Sequence, residues 1–422
     1  MSDKDPSLRR NAPQLQLHVP EPPFRPGDTP DFSSLKIPAA GEAPRPDTGV
    51  PASETHALTT ALVRVLGDDD KSVGAWDPKL DPETLRKMLR DMVTVRIFDD
   101  RMYRAQRQGK TSFYMKCTGE EAIAIAAAAA LDREDMHFPT YRQQGLLIAR
   151  GYPLTEMMNQ IYSNKGDKLR GRQLPIMYSD KAHGFFSISG NLGTQFPQAV
   201  GWAMGAAING DSRIAMGWIG DGATAEGDFH SAMTFAAVYN APVILATVNN
   251  QWAISSFSGI AGAERATFAQ RAVGYGIAGL RVDGNDALAV YAAVKWAAER
   301  ARSNKGPTLI EFFTYRAEGH STSDDPSGYR PTNEAKLWPL GDPIERLRAH
   351  LLAIGEWDEE RHATMTAECD AQVRAAQKES EKLGILPQQG KDNIESMFDD
   401  VYADVPWHLA EQREEAVSEG RG

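Results

Sequence analysis

The sequence has little cysteine and no long apolar segment, and both absences narrow what the protein can be. Only Cys117 and Cys369 occur among the 422 residues, and neither lies in a CxxC pair. A disulfide framework is therefore not expected, and a reducing compartment fits. The longest apolar run, AIAIAAAAAL at residues 122–131, is much shorter than the roughly 20 residues that a membrane-spanning helix needs. We expect no membrane association.

Basic residues are also fewer than acidic residues. The chain carries 46 Lys and Arg against 57 Asp and Glu, which gives a formal net charge of −11. This balance argues against a general nucleic-acid or anionic-membrane surface. The N-terminal stretch shows no apolar signal core, and its early acidic residues match a mitochondrial presequence poorly. The expected location is the cytoplasm.

Composition divides the chain into three predicted regions. Residues 1–80 form an N-terminal arm, rich in proline at first, which either wraps a partner or is disordered. Residues 81–340 alternate apolar strands with helices of ten or more residues, the pattern of an α/β doubly wound parallel sheet. Residues 341–422 are charged with helical spacing and are predicted to be a helical C-terminal extension. The strands would include residues 213–219, 242–248, 279–283 and 308–314. The helices would include residues 223–239, 264–278 and 287–303.

Polar residues follow two of these strands where each one ends. The run RIAMGWI leads into Gly220-Asp221-Gly222, and PVILATV leads into Asn249-Asn250. Because the carboxyl ends of parallel strands meet at one edge of a sheet, Asp221 and Asn250 should share a crevice although 29 residues separate them. Carboxylate and amide oxygens suit Mg²⁺ or Ca²⁺, and Mg²⁺ often shares its ligands with phosphate. Either half alone is typical of an ordinary turn, but the pair predicts a metal-bound phosphate.

A second glycine motif gives a competing prediction. Residues 274–279 read GYGIAG, which matches the GxGxxG fingerprint of dinucleotide-binding enzymes. That fingerprint requires a strand before it and a helix after it, whereas here a helical stretch precedes and a strand follows. A nicotinamide-dependent dehydrogenase is therefore the weaker hypothesis.

Other polar residues lie where a site could include them. His320 occupies the loop EGHSTSDDPSGYRP after the last strand, where it could exchange a proton near neutral pH or simply bond its neighbours. Arg142 follows a short apolar segment and is either a phosphate clamp or a solvated charge. Ser189, Thr194 and Gln195 are either oxygen ligands or helix-capping groups.

Taken together, these stretches resemble the alpha subunit of the thiamine-diphosphate-dependent 2-oxo acid dehydrogenases. In that family GDG is followed about thirty residues later by NN, and the likeness runs from Leu85 into the C-terminal region. It is strongest toward the branched-chain, or 2-oxoisovalerate, members, through the strings SFYM at 112–115, FPTYRQQG around Tyr141, GRQLPIMYS from Gly171 and YRAEGHSTSDDPSGYR from Tyr315. A pyruvate or acetoin dehydrogenase alpha subunit is the alternative within the same class.

The resemblance implies a thiamine-diphosphate-binding fold and assigns residues to its site. Asp221, Asn250 and the backbone carbonyl of Trp252 would bind Mg²⁺, and His320 would be the catalytic residue. The residues implied to contact thiamine diphosphate are Tyr141, Arg142, Gly190, Leu192, Gly220, Asp221, Gly222, Ala223, Asn250, Arg316 and His320. A potassium site of the branched-chain enzymes is matched by Ser189, Asn191, Thr194 and Gln195.

The implied activity is that of 3-methyl-2-oxobutanoate dehydrogenase (2-methylpropanoyl-transferring). A small 2-oxo acid would be decarboxylated, and the lipoyl group of the acyltransferase component would be reductively acylated. The carboxylate that activates the cofactor belongs to a beta subunit in this family, so an α₂β₂ heterotetramer is implied. Gly319 and Pro331 depart from the animal members, which have a histidine and a regulatory serine there, whereas Ser321 matches their other regulatory serine. A non-catalytic subunit that retains the fold is a further alternative.

Overall fold

The computed structural model describes residues 16–384, 397–399 and 402–420. Within them a six-stranded parallel sheet has the order β1-β7-β8-β4-β3-β2, and β5 and β6 form a separate antiparallel hairpin. The strands are β1 Leu62–Val63, β2 Met136–Phe138, β3 Ala215–Gly220, β4 Val243–Asn249, β5 Trp252–Ala253, β6 Ser256–Phe257, β7 Ala278–Asp283 and β8 Thr308–Phe313. The predicted doubly wound parallel sheet is confirmed.

Helices connect these strands and extend the chain beyond them. They are α1 Pro82–Arg107, α2 Glu121–Ala130, α3 Gln144–Ala149, α4 Leu154–Tyr162, α5 Gln195–Ile208, α6 Gly227–Val238, α7 Arg271–Tyr275, α8 Ala287–Arg302, α9 Pro343–Ala353, α10 Glu359–Glu381 and α11 Trp407–Glu419. The start of α1 shows how local sequence sets a boundary. The Asp81 side chain accepts a hydrogen bond from Thr84 N at 2.9 Å, and Pro82 occupies the first turn, where no N–H is needed.

Both faces of the sheet are covered, as a parallel sheet requires. Met216 and Trp218 of β3 join the cluster that contains the buried residues of α1, α2 and α8. Ala215 and Ile219 of the same strand join a second cluster with residues of α5 and α6. Alternate side chains of a strand point to opposite faces, so this division places the sheet between two helical layers.

The segment before β7 departs from its prediction. A helix was predicted over residues 264–278, but the structure has only the short α7 there. Gly262 and Gly276 adopt left-handed conformations, with φ of +102° and +67°, which break a regular helix on either side. The GYGIAG stretch therefore lies across the end of α7 and the start of β7. This is the reverse of the order that the dinucleotide fingerprint requires, as predicted.

The described part of the N-terminal arm packs on the chain's own core. Side-chain donors hold its backbone: Trp76 Nε1 donates to Pro44 O at 3.1 Å, and Trp296 Nε1 donates to Pro46 O at 3.0 Å. Arg300 Nη1 adds a bond to Val50 O at 2.6 Å. The arm then contributes β1, an edge strand of the main sheet.

Helical structure continues in the C-terminal region. Helices α9 and α10 pack on α1, and Arg101 of α1 forms an ion pair with Asp370 of α10 at 2.9 Å. Residues 385–396 of the predicted helical extension lie outside the described residues, and a later part of the extension contains α11. In the part of the chain that the structure describes, no helix combines the length and apolar character needed to cross a membrane.

The buried carboxylate of Asp286 connects the residues just after β1 to the start of α8. Asp286 Oδ1 caps α8 by accepting from Leu288 N at 3.1 Å and Ala289 N at 3.0 Å. Its Oδ2 accepts from Val65 N at 2.8 Å and Leu66 N at 2.6 Å, just after β1. The side chain is fully buried, so these four donors have no access to water.

We expect Asp286→Ala to lower the free energy of unfolding by about 3–5 kcal/mol, because it leaves buried donors without partners. Urea unfolding followed by circular dichroism measures this loss. Asp358→Ala is the matched control, since Asp358 caps α10 in solvent and its removal should cost distinctly less. Equal losses for the two variants would contradict the anchoring role of Asp286.

Candidate active site

The ends of β3 and β4 bring the two polar motifs together. Gly220 pairs with Val248 in the parallel register, and Asp221 N donates to Val248 O at 3.1 Å. Asp221 and Asn250 are both buried and line one cavity of about 590 Å³. The structure thus places these two side chains in a single crevice at the carboxyl edge of the sheet.

Asp221 carries an oxygen with no hydrogen-bond partner. Its Oδ1 accepts from Gly222 N at 2.7 Å, whereas Oδ2 is buried and unpartnered. Burial raises the pKa of this carboxyl to about 7, against the lowering effect of the Gly222 N–H and of Arg316. Leaving a charged oxygen buried and unsatisfied is costly, and a bound cation would remove that cost. The residues present therefore fit a metal ion.

The two halves of the motif also contact each other through the β5–β6 hairpin. A Cβ atom on Gly222 would lie 2.5 Å from the Cβ of Ala253, so the hairpin packs where only glycine fits. Gln251, between Asn250 and Trp252, adopts a left-handed conformation with φ of 74°. Its Nε2 donates to Asn249 O at 3.1 Å and Thr314 O at 3.3 Å, which holds this turn.

Arg316 fixes the carbonyl implied to be a metal ligand. Its Nη1 donates to Trp252 O at 2.7 Å, and Nη2 donates to Ile254 O at 2.8 Å and Tyr329 Oη at 2.8 Å. Burial lowers the pKa of Arg316 to about 10. The guanidinium lines the cavity, but these bonds tie it to the hairpin. The Trp252 carbonyl keeps a second lone pair for a cation.

Arg142 sets the protonation of His320. Arg142 Nη2 lies 3.1 Å from His320 Nδ1 and also donates to His320 O at 2.6 Å. Because a guanidinium has only donors, Nδ1 must be the acceptor and Nε2 must carry the ring proton. Burial lowers the pKa of His320 to about 3, and the charges of Arg142 and Arg316 add to the effect. The imidazole is therefore a neutral hydrogen-bond donor.

The loop that carries His320 is held at further points. His320 N donates to Asp324 Oδ2 at 2.6 Å, and Tyr329 Oη donates to the same oxygen at 2.7 Å. The Tyr141 ring meets the imidazole edge to face, with 5.7 Å between centroids. His320 is thus bonded to its neighbours, as one of the two alternatives for this loop histidine predicted, and it lines the cavity at the same time. With its pKa lowered to about 3, the ring does not exchange a proton near neutral pH, which was the other alternative.

The predicted potassium ligands form a compact turn before α5. Ser189 Oγ accepts from Asn191 N at 3.2 Å, and Thr194 Oγ1 donates to Asn191 O at 3.0 Å. Gln195 Nε2 donates to Ser189 O at 3.2 Å, while Gln195 Oε1 is buried without a partner. Local capping bonds account for most of these groups, and the unpartnered Gln195 oxygen is the feature that favours a cation.

The remaining residues assigned by resemblance also line the cavity, and they are Gly190, Leu192, Gly220 and Ala223. Part of the lining is apolar and exposed, notably Leu174, Leu192, Ile254 and Ile260. Within the described ranges, no three His, Cys, Asp or Glu side chains are grouped to hold a metal. Amide and carbonyl oxygens would therefore have to complete any cation site at Asp221.

Sequence reasoning missed Glu120, which lies in the same cavity wall and is buried. Glu120 and Glu121 are two acidic residues at the start of a helix, which is a common pattern because negative charge is favourable there. A tertiary contact brings it to the site, because Thr314 Oγ1 donates to Gly119 O at 3.0 Å and Ala317 N donates to Thr118 O at 3.0 Å. The one local signal is Gly119, with φ of +97°.

The chain is similar to known proteins over most of its length. The family described as Dehydrogenase E1 component matches residues 89–388, and 2-oxoisovalerate dehydrogenase E1 alpha subunit N terminal matches residues 13–53. The 2-oxoisovalerate dehydrogenase subunit alpha of Pseudomonas aeruginosa is 59% identical over 98% of this chain and 99% of that protein. The mitochondrial subunit alpha from Homo sapiens is 41% identical over 80% of this chain and 75% of that protein.

Fold and crevice together define a doubly wound α/β protein with an unpartnered carboxylate oxygen that suits a cation at the carboxyl edge of its sheet. With matches of this extent, the chain belongs to the dehydrogenase E1 component family, among the 2-oxoisovalerate dehydrogenase alpha subunits.

The buried Asp221 carboxyl should make cation binding depend on pH. Below its raised pKa of about 7 the empty site holds a proton that a cation must displace, so affinity falls as the pH falls. We expect Mn²⁺ affinity to drop roughly tenfold when the pH is lowered by about one and a half units from just above neutral. Electron paramagnetic resonance titration of the full chain with Mn²⁺ alone measures this. A pH-independent affinity, or unchanged binding in Asp221→Asn, would contradict the assignment.

His320 should remain neutral across the physiological range. We expect side-chain ¹H–¹⁵N spectra to show the Nε2–H tautomer throughout about pH 5 to pH 8. In Arg142→Gln the ring loses the adjacent charge and the fixed donor to Nδ1, so its pKa should rise and both tautomers should appear. Because the folded ring titrates below the ordinary value of 6.5, His320 reduces folded-state stability as the pH falls through that value. A wild-type His320 that titrates near its ordinary pKa would contradict the hydrogen bond from Arg142 to His320 Nδ1.

Proposed function

We propose that this chain is the alpha subunit of a branched-chain 2-oxo acid dehydrogenase that uses thiamine diphosphate and Mg²⁺. The observation that carries the proposal is the unpartnered, buried Oδ2 of Asp221, which shares a cavity with Asn250 and His320. The relatives named 2-oxoisovalerate dehydrogenase subunit alpha support the substrate class.

The chain's own residues would bind and orient the cofactor. Asp221, Asn250 and the Trp252 carbonyl would hold Mg²⁺ against the diphosphate, and Gly222 would let the backbone approach closely. When bound, thiamine diphosphate supplies the electron sink that permits loss of CO₂ from a 2-oxo acid. The protein contributes a fixed set of oxygens, held by Arg316 on one side and by the Gly222 contact on the other.

His320 would act toward the lipoyl group as a neutral donor. Its Nδ1 is occupied by Arg142, which leaves the Nε2–H group as the one hydrogen-bonding function of the ring that is not committed to Arg142. Such a donor can stabilise negative charge on a lipoyl sulfur as the dithiolane opens. Arg142 and Asp324 hold the loop in place, so the imidazole would be positioned before the acyltransferase component delivers its substrate.

Apolar lining favours a branched aliphatic substrate. The cavity wall includes Phe113, Met115, Leu174 and Met177, which come from two of the four strings that resemble the branched-chain members. Apolar walls distinguish aliphatic groups by the surface they bury. Pyruvate and acetoin would leave more of this wall uncovered, so they remain the weaker substrates in this proposal.

A beta subunit would complete the site in an α₂β₂ assembly. The carboxylates in the cavity lining are Glu120, which accepts from Asn250 Nδ2, and Asp221, which is a predicted metal ligand. The carboxylate that activates the cofactor would therefore come from another chain. Ile254 and Ile260 line the cavity with more than half of their surfaces exposed, at 53% and 59%, which suits coverage by that chain. Potassium near Gln195 is also part of the proposal.

Co-expression with a candidate beta subunit tests the function directly. With an artificial electron acceptor, we expect turnover that needs both thiamine diphosphate and Mg²⁺ and is faster on 2-oxoisovalerate than on pyruvate. No thiamine-dependent turnover in a verified α₂β₂ assembly would refute the proposal. Nicotinamide-cofactor binding that survives Asp221→Ala would support the dinucleotide hypothesis instead.

Two variants separate binding from acyl transfer. Asp221→Ala should abolish retention of the cofactor, because it removes the charged metal ligand. His320→Ala should change cofactor binding much less than acylation of a free lipoyl domain, which we expect to fall about 10²- to 10⁴-fold. His230→Ala is the matched control, since His230 lies exposed on α6 and bonds Tyr275 Oη at 2.6 Å. Equal loss in both histidine variants would contradict the assignment.

A further inference from the structure

Glu120 contacts the amide of Asn250 directly. Asn250 Nδ2 donates to Glu120 Oε1 at 2.7 Å, and both side chains are buried, with exposed fractions of 7% and 4%. The same Glu120 oxygen lies 3.9 Å from Arg142 Nε. The carboxylate therefore links Asn250 to Arg142, which in turn donates to His320 O. None of the sequence motifs assigned a role to this residue.

This contact decides which end of the amide faces the cavity. Burial raises the pKa of Glu120, whereas the charge of Arg142 and the bond from Asn250 act against that shift. In its ionised form Glu120 only accepts hydrogen bonds, so the NH₂ group of Asn250 points toward it and the amide oxygen points away. Asn250 Oδ1 then accepts one long hydrogen bond, from Trp252 N at 3.3 Å. This bond keeps Oδ1 close to residue 252, whose carbonyl is the other predicted oxygen ligand. A flipped amide would place an oxygen against the carboxylate and an NH₂ group at the cation.

The position of Glu120 is itself fixed by the backbone. It caps the first turn of α2, where its carbonyl accepts from Ile123 N at 3.2 Å, and its N–H donates to Cys117 O at 2.8 Å. The preceding Gly119 packs so closely on the end of β8 that a Cβ atom would lie 2.3 Å from Tyr315 O. Substitution at Glu120 therefore changes a side chain on a well-anchored segment.

We propose that Glu120 is a positioning residue for metal binding, which orients Asn250 so that its oxygen faces the cation. This inference rests on the proposed metal site at Asp221 and adds a residue that acts on it through Asn250. Residues that orient metal ligands typically change metal affinity by about 10- to 100-fold when they are replaced. Glu120 need not contact the cation for this effect.

The test compares two substitutions of similar size in the complex with the beta subunit. Glu120→Leu removes the acceptor, whereas Glu120→Gln keeps an oxygen that can accept from Asn250 but can also satisfy the flipped amide. With Mn²⁺ and thiamine diphosphate, we expect Glu120→Leu to weaken Mn²⁺ binding at least about tenfold. Glu120→Gln should weaken it only about twofold, since half of the amides are then correctly oriented. Electron paramagnetic resonance of bound Mn²⁺ is the readout, together with thermal unfolding.

A double substitution distinguishes orientation from general destabilisation. If Glu120 acts through Asn250, then Glu120→Leu should have no further effect on Mn²⁺ affinity in an Asn250→Ala background. Independent, additive losses would overturn the inference. So would an equal loss in Glu120→Gln and Glu120→Leu, which would show that the charge matters and the orientation does not.

Asp221→Asn separates this inference from the proposed function. If Asp221→Asn abolishes Mn²⁺ binding while Glu120→Leu leaves it unchanged, only the role of Glu120 is refuted. If Asp221→Asn leaves Mn²⁺ binding unchanged, the metal site itself is refuted, and the role of Glu120 with it.

Discussion

The parallel register between β3 and β4 is the constraint on which the site depends. It places Asp221 beside Val248, and Val248 lies two residues before Asn250. A slip of one residue would turn every side chain of β3 to the opposite face of the sheet. Trp218 and Ile219 belong to different hydrophobic clusters, so such a slip would remove both from their packing. Because side chains of β3 are buried on both faces of the sheet, the register is fixed, and with it the spacing of Asp221 and Asn250 at the carboxyl edge.

Buried arginines provide the second level of order. Arg142 and Arg316 direct their donors at backbone carbonyls, from Lys116 and His320 in one case and from Trp252 in the other. Each guanidinium joins segments that are far apart in sequence, and each bond to a carbonyl offsets part of the desolvation cost. These hydrogen bonds from arginine to backbone carbonyls hold the loops of the site in place. A ligand would therefore bind to groups that are already positioned.

Local patterns predicted the parts of the fold that local physics determines. The strand ends at Asp221 and Asn250 could be placed because a βαβ unit has one geometry, and the start of α1 could be placed because Asp81 and Pro82 form a cap. Glu120 could not be interpreted from sequence, since its role comes from packing against residues almost two hundred positions later. The helix predicted before β7 was wrong in length, because residues 264–270 form turns and Gly276 ends α7. Similarly, nothing local shows that the Arg316 guanidinium is committed to Trp252 O.

A third hydrophobic cluster links the turn at residues 250–252 to the N-terminal arm and to the segment before α9. It contains Trp252 and Trp338, and Phe32 of the arm meets Trp338 edge to face at 5.5 Å between centroids. A chain emerging from the ribosome therefore cannot assemble this turn on its final support until more than three hundred residues have been synthesised. Closing such distant contacts is slow relative to local helix formation. Chains truncated before residue 338 would therefore lack part of the packing that supports the turn with two of the predicted metal ligands, Asn250 and the Trp252 carbonyl.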